Sequence, residues 1–232
     1  MSLRRLAPPE IQPASFAFSA ENAEWAKATI AKYPQGRQAS AVISLLWRGQ
    51  EQEGWVSHPM VESIAKMLTM PFIRVLEVAT FYTMFNLVPV GTYLVQVCTT
   101  TPCWLRGSDA VVAACKKHIH PHEKTVSADG KFSWMEVECL GACVNAPMLQ
   151  IGSDFYEDID GPITERMIAD LRAGKALKPG PQNSRTSSEP EGGATSLTEA
   201  ALFDGSIIGK YKVQPLPPPP PPADPAKKPG AA

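Results

Sequence analysis

The sequence predicts an α+β chain in which a helical bundle precedes a small α/β sandwich with a mixed sheet. Three observations carry that expectation. Apolar residues recur at helical spacing through the first third of the chain, with short links between the runs. Near residue 91 the period changes, and β-rich runs alternate with two further helical stretches. Past Pro179 the composition turns to Gly, Ser and Pro, which cannot bury enough apolar surface to order themselves. The expected organisation is an irregular arm (1–18), a helical bundle (19–88), an α/β domain (89–178) and a flexible proline-rich tail (179–232).

Each element has its own signal. Pro8, Pro9 and Pro13 block regular structure in the arm. Ser19 is placed to cap the first helix, whose face carries Ala26, Ile30 and Tyr33 before Pro34 stops it. The second helix is expected over about 37–49, with Val42, Ile43, Leu46 and Trp47 at helical spacing and Gly49 at its end. The third begins at Pro59 and carries Val61, Ile64, Ala65 and Leu68, the strongest amphipathic pattern in the chain. Thr69 is expected to cap the fourth, with Pro71 in its first turn and Val75, Leu76 and Ala79 along it. The run TYLVQVC then reads as a strand ending at Cys98, followed by a loop with Cys103 and a helix from about Ser108 to His118. Residues 125–137 read as two strands joined at Asp129-Gly130, and 148–159 repeat that arrangement around Gly152. A last helix covers about 162–173 and ends near Gly174.

The bulk numbers exclude some classes of function. Apolar content is 44%, charged content 19% and formal net charge -1 over 232 residues, which is ordinary globular composition. Basic residues form no stripe, so nucleic acid is not an expected partner. No run of eighteen apolar residues exists to make a bilayer-spanning helix, so direct membrane insertion is not expected. The N-terminal stretch lacks an apolar signal core, and Glu10 and Glu21 argue against an organellar transit peptide. The cysteines are therefore expected in a reducing compartment, where metal ligation or redox chemistry is a commoner use than a disulfide framework.

Four of the five cysteines form two tight pairs, Cys98 with Cys103 and Cys139 with Cys143. Short turns around Pro102 and Gly141 pre-close each pair, so less chain entropy is lost in gathering four soft donors. The spacing C-x4-C-x35-C-x3-C admits structural zinc, and it also suits an iron–sulfur cluster held from two loops, which it favours. Free or redox-active thiols are a third reading, although the C-x2-C dithiol of disulfide exchange is absent.

Three stretches resemble one family. QEQEGWVS (50–57), VCTTTPCWLRG (97–107) and VECLGACVNAPMLQI (137–151) are similar to the 24 kDa iron–sulfur subunit of respiratory complex I, and RVLEVATFYTMFNL matches that family's helical signature. The likeness covers about residues 15–175. It implies that the α/β domain is thioredoxin-like and that Cys98, Cys103, Cys139 and Cys143 ligate a [2Fe–2S] cluster. It implies an electron-transfer subunit of NADH:quinone oxidoreductase, not catalytic alone. The implied partner is a larger flavoprotein subunit carrying FMN, the NADH site and a [4Fe–4S] cluster, with other peripheral-arm subunits nearby. The implied place is the cytoplasmic face of the inner membrane, with the mitochondrial matrix as the alternative. Similar subunits serve NAD-reducing hydrogenases and NAD-linked formate dehydrogenases, which stand as the alternative function.

The remaining residues fit that division of labour. The chain has no G-x-G-x-x-G after a strand and no P-loop; Gly49, Gly54, Gly91 and Gly107 read as isolated turn glycines. Val97, Trp104, Leu105, Leu140, Val144 and Met148 are expected to wall the sulfur site, with amides in 99–102 and 140–144 directed at sulfur. Glu136 and Glu138 read as solvated strand residues, and Cys115 as a buried, inert thiol on the face of Val112 and Ile119. His118, His120 and His122 read as a polar helix exit and not as ligands, because Pro121 breaks their geometry. His58 merely precedes Pro59 at a helix start. FYTMF (81–85) reads as core packing or, where exposed, as a docking face. In the tail, Leu202, Phe203, Ile207 and Ile208 read as an attachment island ahead of the proline run 217–222.

Overall fold

The computed structural model describes residues 4–190, 192–202, 204 and 205. Phe203, Ile207, Ile208 and the proline run lie outside the described residues. The first compact unit ends at Ser188 and the second starts at Glu189.

Four helices open the first unit: α1 (Ala20–Ile30), α2 (Val42–Glu53), α3 (His58–Leu68) and α4 (Phe72–Phe81). The Ser19 hydroxyl accepts from the Asn22 amide, and the Ser57 hydroxyl from the Met60 amide, so orphan amide donors at both helix starts are satisfied. Met60, Val61, Ile64, Ala65 and Leu68 form the buried face of α3. They pack with Leu45, Leu46, Val56, Val75, Ala79 and Phe85 into one core. Each larger side chain fully removed from water there contributes about 1.5–3 kcal/mol. The arm holds one 3-10 turn, Pro9–Ile11, where irregular structure was expected, and it is tied down: Arg4 donates to the carbonyls of Thr80 (2.9 Å) and Tyr82 (2.7 Å) and to that of Phe85, which neutralises the open end of α4.

Two expected boundaries move. α2 runs on past Gly49 and ends at Gly54, whose φ of 83° supplies the left-handed stop. Gly49 lies inside the helix, where a Cβ would sit 2.6 Å from the sulfur of buried Met60, so it permits close approach of α2 and α3. Thr69 does not cap α4; it closes α3 in the left-handed region (φ 53°), and Pro71 takes the position before α4.

The second half contains β1 (Tyr93–Cys98), α5 (Thr101–Leu105), α6 (Ser108–His118), β2 (Phe132–Val137), β3 (Met148–Ile151), β4 (Asp154–Glu157), α7 (Gly161–Arg172) and β5 (Gly180–Pro181). The five strands lie in the order β2-β1-β3-β4-β5. β1 and β2 are parallel in the register Tyr93 to Phe132 through Cys98 to Val137, and β3 is antiparallel to β1. α6 and α7 cover the sheet face of Val95, Val97, Phe132, Trp134 and Leu149 with Val111, Cys115, Met167, Ile168 and Leu171. The β3–β4 hairpin around Gly152 forms as expected.

The hairpin expected at Asp129-Gly130 does not form. Residues 125–131 make a tight turn, in which the Ser127 hydroxyl accepts from the Phe132 amide at 3.0 Å and Asp129 from the Lys131 amide at 3.1 Å. The run after it instead pairs with β1, where parallel alignment buries Phe132 and Trp134 beneath α6 and α7. The packing also continues beyond residue 178, where the tail was expected to start: Gly180 and Pro181 pair with Tyr156 and Glu157 of β4. No helix of the described residues is long and apolar enough to cross a membrane.

Candidate iron–sulfur site

All four paired cysteines gather at one end of the sheet, and the parallel β1–β2 pairing is the reason. It sends the C-terminal ends of both strands to the same edge, with Cys98 closing β1 opposite Val137 and Cys139 two residues farther on. β3 starts at that edge because it runs antiparallel to β1. The connection from β2 to β3, which holds Cys139 and Cys143, is thereby folded over Cys98. Cys103 returns on the short helix α5 and not on a loop. α5 starts with Thr101 and Pro102, the latter well suited to a first helical turn, and this points Cys103 back toward the strand end.

The two pairs differ in exposure. Cys98 and Cys103 are buried together with Ala146 and Met148, with Leu140, Ala142 and Phe155 against them. Cys139 and Cys143 are exposed, their sulfurs 3.4 Å apart. Mutual perturbation links the pairs. Burial acts to raise the Cys98 thiol, but hydrogen bonds from the Thr100 and Leu140 amides and from Cys103 outweigh it and hold its pKa below the ordinary thiol value. Burial, then the hydrogen bond and charge of Cys98, push Cys103 up to about 12, against a bond from the Met148 amide. Cys143 is raised by its hydrogen bond with Cys139, then by desolvation and by the charges of Cys139 and Cys98. Four thiols this close cannot all ionise without a compensating cation. Among the described residues no three His, Cys, Asp or Glu side chains close round a point suited to one metal ion. The donors are two pairs.

The expected wall forms in part. Val97 and Met148 are buried and Leu140 is half-buried. Trp104, Leu105 and Val144 are instead 56%, 71% and 60% exposed. The amides of Thr100 and Leu140 fall in the expected segments; that of Met148 was missed, because only the fold brings the start of β3 under Cys103. Arg106 was also missed; its Nε donates to the Ala146 carbonyl at 3.4 Å, across from α5 to the loop before β3. Glu136 and Glu138 are exposed.

The fifth cysteine stands apart. Cys115 is fully buried on α6, and burial pushes its thiol up to about 12. His118 contacts Glu165 at 3.0 Å, and His120 accepts from the His122 amide at 3.1 Å. Both bonds serve a helix exit. His58 sits in α3 and contacts Glu62 at 3.7 Å. FYTMF divides: Phe85 is buried in the helical core, whereas Phe81 is 76% exposed and Tyr82 and Met84 are also exposed.

Comparison with known proteins identifies relatives of the whole domain. Residues 26–172 match the family model described as thioredoxin-like [2Fe–2S] ferredoxin. The chain is 56% identical over 200 residues to an NADH-quinone oxidoreductase subunit of Rhizobium meliloti (strain 1021), covering 85% of this chain and 73% of the relative. It is 50% identical over 159 residues to the corresponding NADH-quinone oxidoreductase subunit of Rickettsia bellii (strain RML369-C), covering 68% of this chain and 95% of the relative. A chain of an NAD+-reducing [NiFe]-hydrogenase in the H2-reduced state superposes with a TM-score of 0.52 at 15% identity, over 59% of this chain and 23% of that one. That last likeness is one of fold alone.

Proposed function

The chain belongs to the thioredoxin-like [2Fe–2S] ferredoxin family, among its NADH-quinone oxidoreductase members, and from that premise we propose that Cys98, Cys103, Cys139 and Cys143 hold a [2Fe–2S] cluster. It is an electron-transfer subunit of NADH:quinone oxidoreductase. The carrying observation is the gathering of two cysteine pairs at one sheet edge, with thiols that perturb one another across the pairs. The donor set fits the group. Four cysteines in two pairs, with amides directed at the inner sulfurs, supply the four-thiolate ligation that a [2Fe–2S] cluster takes.

A bound binuclear cluster supplies a one-electron carrier. The chain's own residues hold it and set its surroundings. The Thr100, Leu140 and Met148 amides donate to the two inner sulfurs, which steadies negative charge there. Val97 and Met148 exclude water behind them. The outer pair faces solvent, and the exposed side chains of Trp104, Leu105 and Val144 offer apolar surface for a partner. That partner is the larger flavoprotein subunit, which carries FMN, the NADH site and a [4Fe–4S] cluster. The assembly belongs on the cytoplasmic face of the inner membrane. The test is iron, zinc and acid-labile sulfide analysis of the purified full chain, with its visible and EPR spectra. We expect about two irons and two sulfides per chain, as the cluster's formula requires. Stoichiometric zinc without sulfide would overturn the reading.

A further inference from the structure

We propose that Arg185 is a positioning residue for Cys143, and that residues 180–187 are part of the sulfur site and not of the tail. The proposal rests on the assignment of Cys143 as a ligand.

Cys143 stands on an exposed single turn, Cys143–Asn145, closed by Asn145 N–H to Ala142 (3.0 Å) and Ala146 N–H to Cys143 (3.3 Å). A lone turn at a surface opens easily unless something grips it. The grip comes from beneath. Asn145 is fully buried, and its Nδ2 donates to Glu157 Oε2 at 2.6 Å and to the Ser187 carbonyl at 2.8 Å. The Asp158 amide donates to the Asn145 carbonyl at 2.8 Å. Arg185 Nη1 donates to the carbonyl of Val144, the residue after Cys143, at 3.2 Å, and to Asn145 Oδ1 at 3.4 Å. Its Nε faces Asp158 Oδ2 at 3.2 Å, with the two side chains only 7% and 4% exposed.

One guanidinium thus ties the cysteine turn to the residue that follows β4. A lysine ammonium is a single point and cannot serve both sides of that span. The segment that delivers Arg185 is itself fastened to β4, through the Gly180–Pro181 pairing and a 2.9 Å bond from the Gln182 amide to Glu157. Nothing in its composition separates it from the linker that follows.

The test uses the full chain with its cluster and two variants. In R185M/D158N the two buried charges leave together, and asparagine tolerates the positive φ (52°) at Asp158. Its thermal midpoint stays near that of the parent. Iron release to a chelator is expected to quicken roughly 10- to 100-fold, the usual effect of removing a group that orients a ligand. The EPR g values shift as well. Arg185→Lys keeps a charge beside Asp158 and is expected to release iron like the double variant. In the cluster-free full chain, hydrogen exchange at the Asn145 and Ala146 amides accelerates in both variants. Parent-like iron release, EPR and exchange would overturn the proposal. A parent chain with no iron or sulfide would overturn the ligand assignment and this proposal with it. An iron-loaded parent with indifferent variants would overturn the positioning role alone.

Discussion

Replacing Gly91 by alanine tests how β1 is seated. An ideal Cβ at Gly91 would lie 2.5 Å from the Phe132 carbonyl carbon, 2.6 Å from the Phe132 nitrogen and 2.7 Å from the Lys131 carbonyl carbon. All three are backbone atoms of the edge of β2, so no side-chain rotation relieves the clash. Reaching an ordinary carbon–carbon separation requires the chain at residue 91 to withdraw by about 1 Å. That withdrawal lengthens the 3.1 Å bond from the Gly91 amide to the buried Ser133 hydroxyl past useful geometry. It also strains the neighbouring bond from the Tyr93 amide to the Lys131 carbonyl, 2.8 Å. Overpacking typically costs about 1–3 kcal/mol. A buried donor left unsatisfied costs about 1–3 kcal/mol more. Because one shift causes both, the terms overlap, and about 3 kcal/mol in total is expected. For a folded unit of this size that lowers the melting temperature by about 6–12 °C. Urea unfolding of parent and variant, followed by far-UV circular dichroism and tryptophan fluorescence, measures it. A loss below about 1 kcal/mol would refute the reasoning, since even minor overpacking reaches that size. Gly36→Ala is the control: its site is open, and only the strain of φ +79° applies, about 1 kcal/mol.

Further expectations follow from the site and its surroundings. Alanine at Cys98, Cys103, Cys139 or Cys143 should remove or greatly weaken the cluster, read as lost iron and EPR signal, while Cys115→Ala leaves both intact, its thiol being fully buried on α6 away from the pairs. Native Cys115 should resist alkylation at pH 8 until the chain unfolds, because burial holds its pKa near 12. Asp129 is held at about 2 by bonds from Ser127, the Lys131 amide and Arg172. A depressed carboxylate contributes stability that is fully present above its ordinary value of 3.8 and lost as pH falls through about 2, so Asp129→Asn should flatten the acid limb of the stability–pH curve in that window. Truncation after Ser188 should leave iron content and melting temperature unchanged. Truncation after Pro179 removes β5 and Arg185, breaking the pairing of Arg185 with Asp158, and should lower both.

Much of the fold was legible because local rules act within a few residues. Ser19 caps α1 through its own hydroxyl, and the Val61, Ile64, Ala65, Leu68 stripe buries wherever a partner face exists. Gly152 lies in a tight turn (φ 61°) between β3 and β4, which are adjacent in sequence. Local signals mislead where two local rules compete. Thr69 suits a helix start, yet the left-handed stop of α3 claims it. Asp129-Gly130 suits a hairpin, yet Phe132 and Trp134 gain more by burial on a strand parallel to β1. Gly49 and Gly91 looked like turn glycines, and both are points of close approach that only the packed neighbours reveal.

The cysteine spacing by itself determined that two pre-closed thiol pairs exist and which soft-metal chemistries they admit, because turn geometry is encoded within each pair. Tertiary structure alone decided that the pairs meet. Cys98 and Cys139 come together because β1 and β2 run parallel, a pairing between segments joined by a long crossover that no short window of sequence specifies. It also decided that Cys98 and Cys103 lie inside while Cys139 and Cys143 face solvent, and that Arg185, within a stretch composed like a linker, is buried against Asp158. Burial and long-range pairing depend on which surfaces the whole chain brings into contact, so they are settled only when it folds.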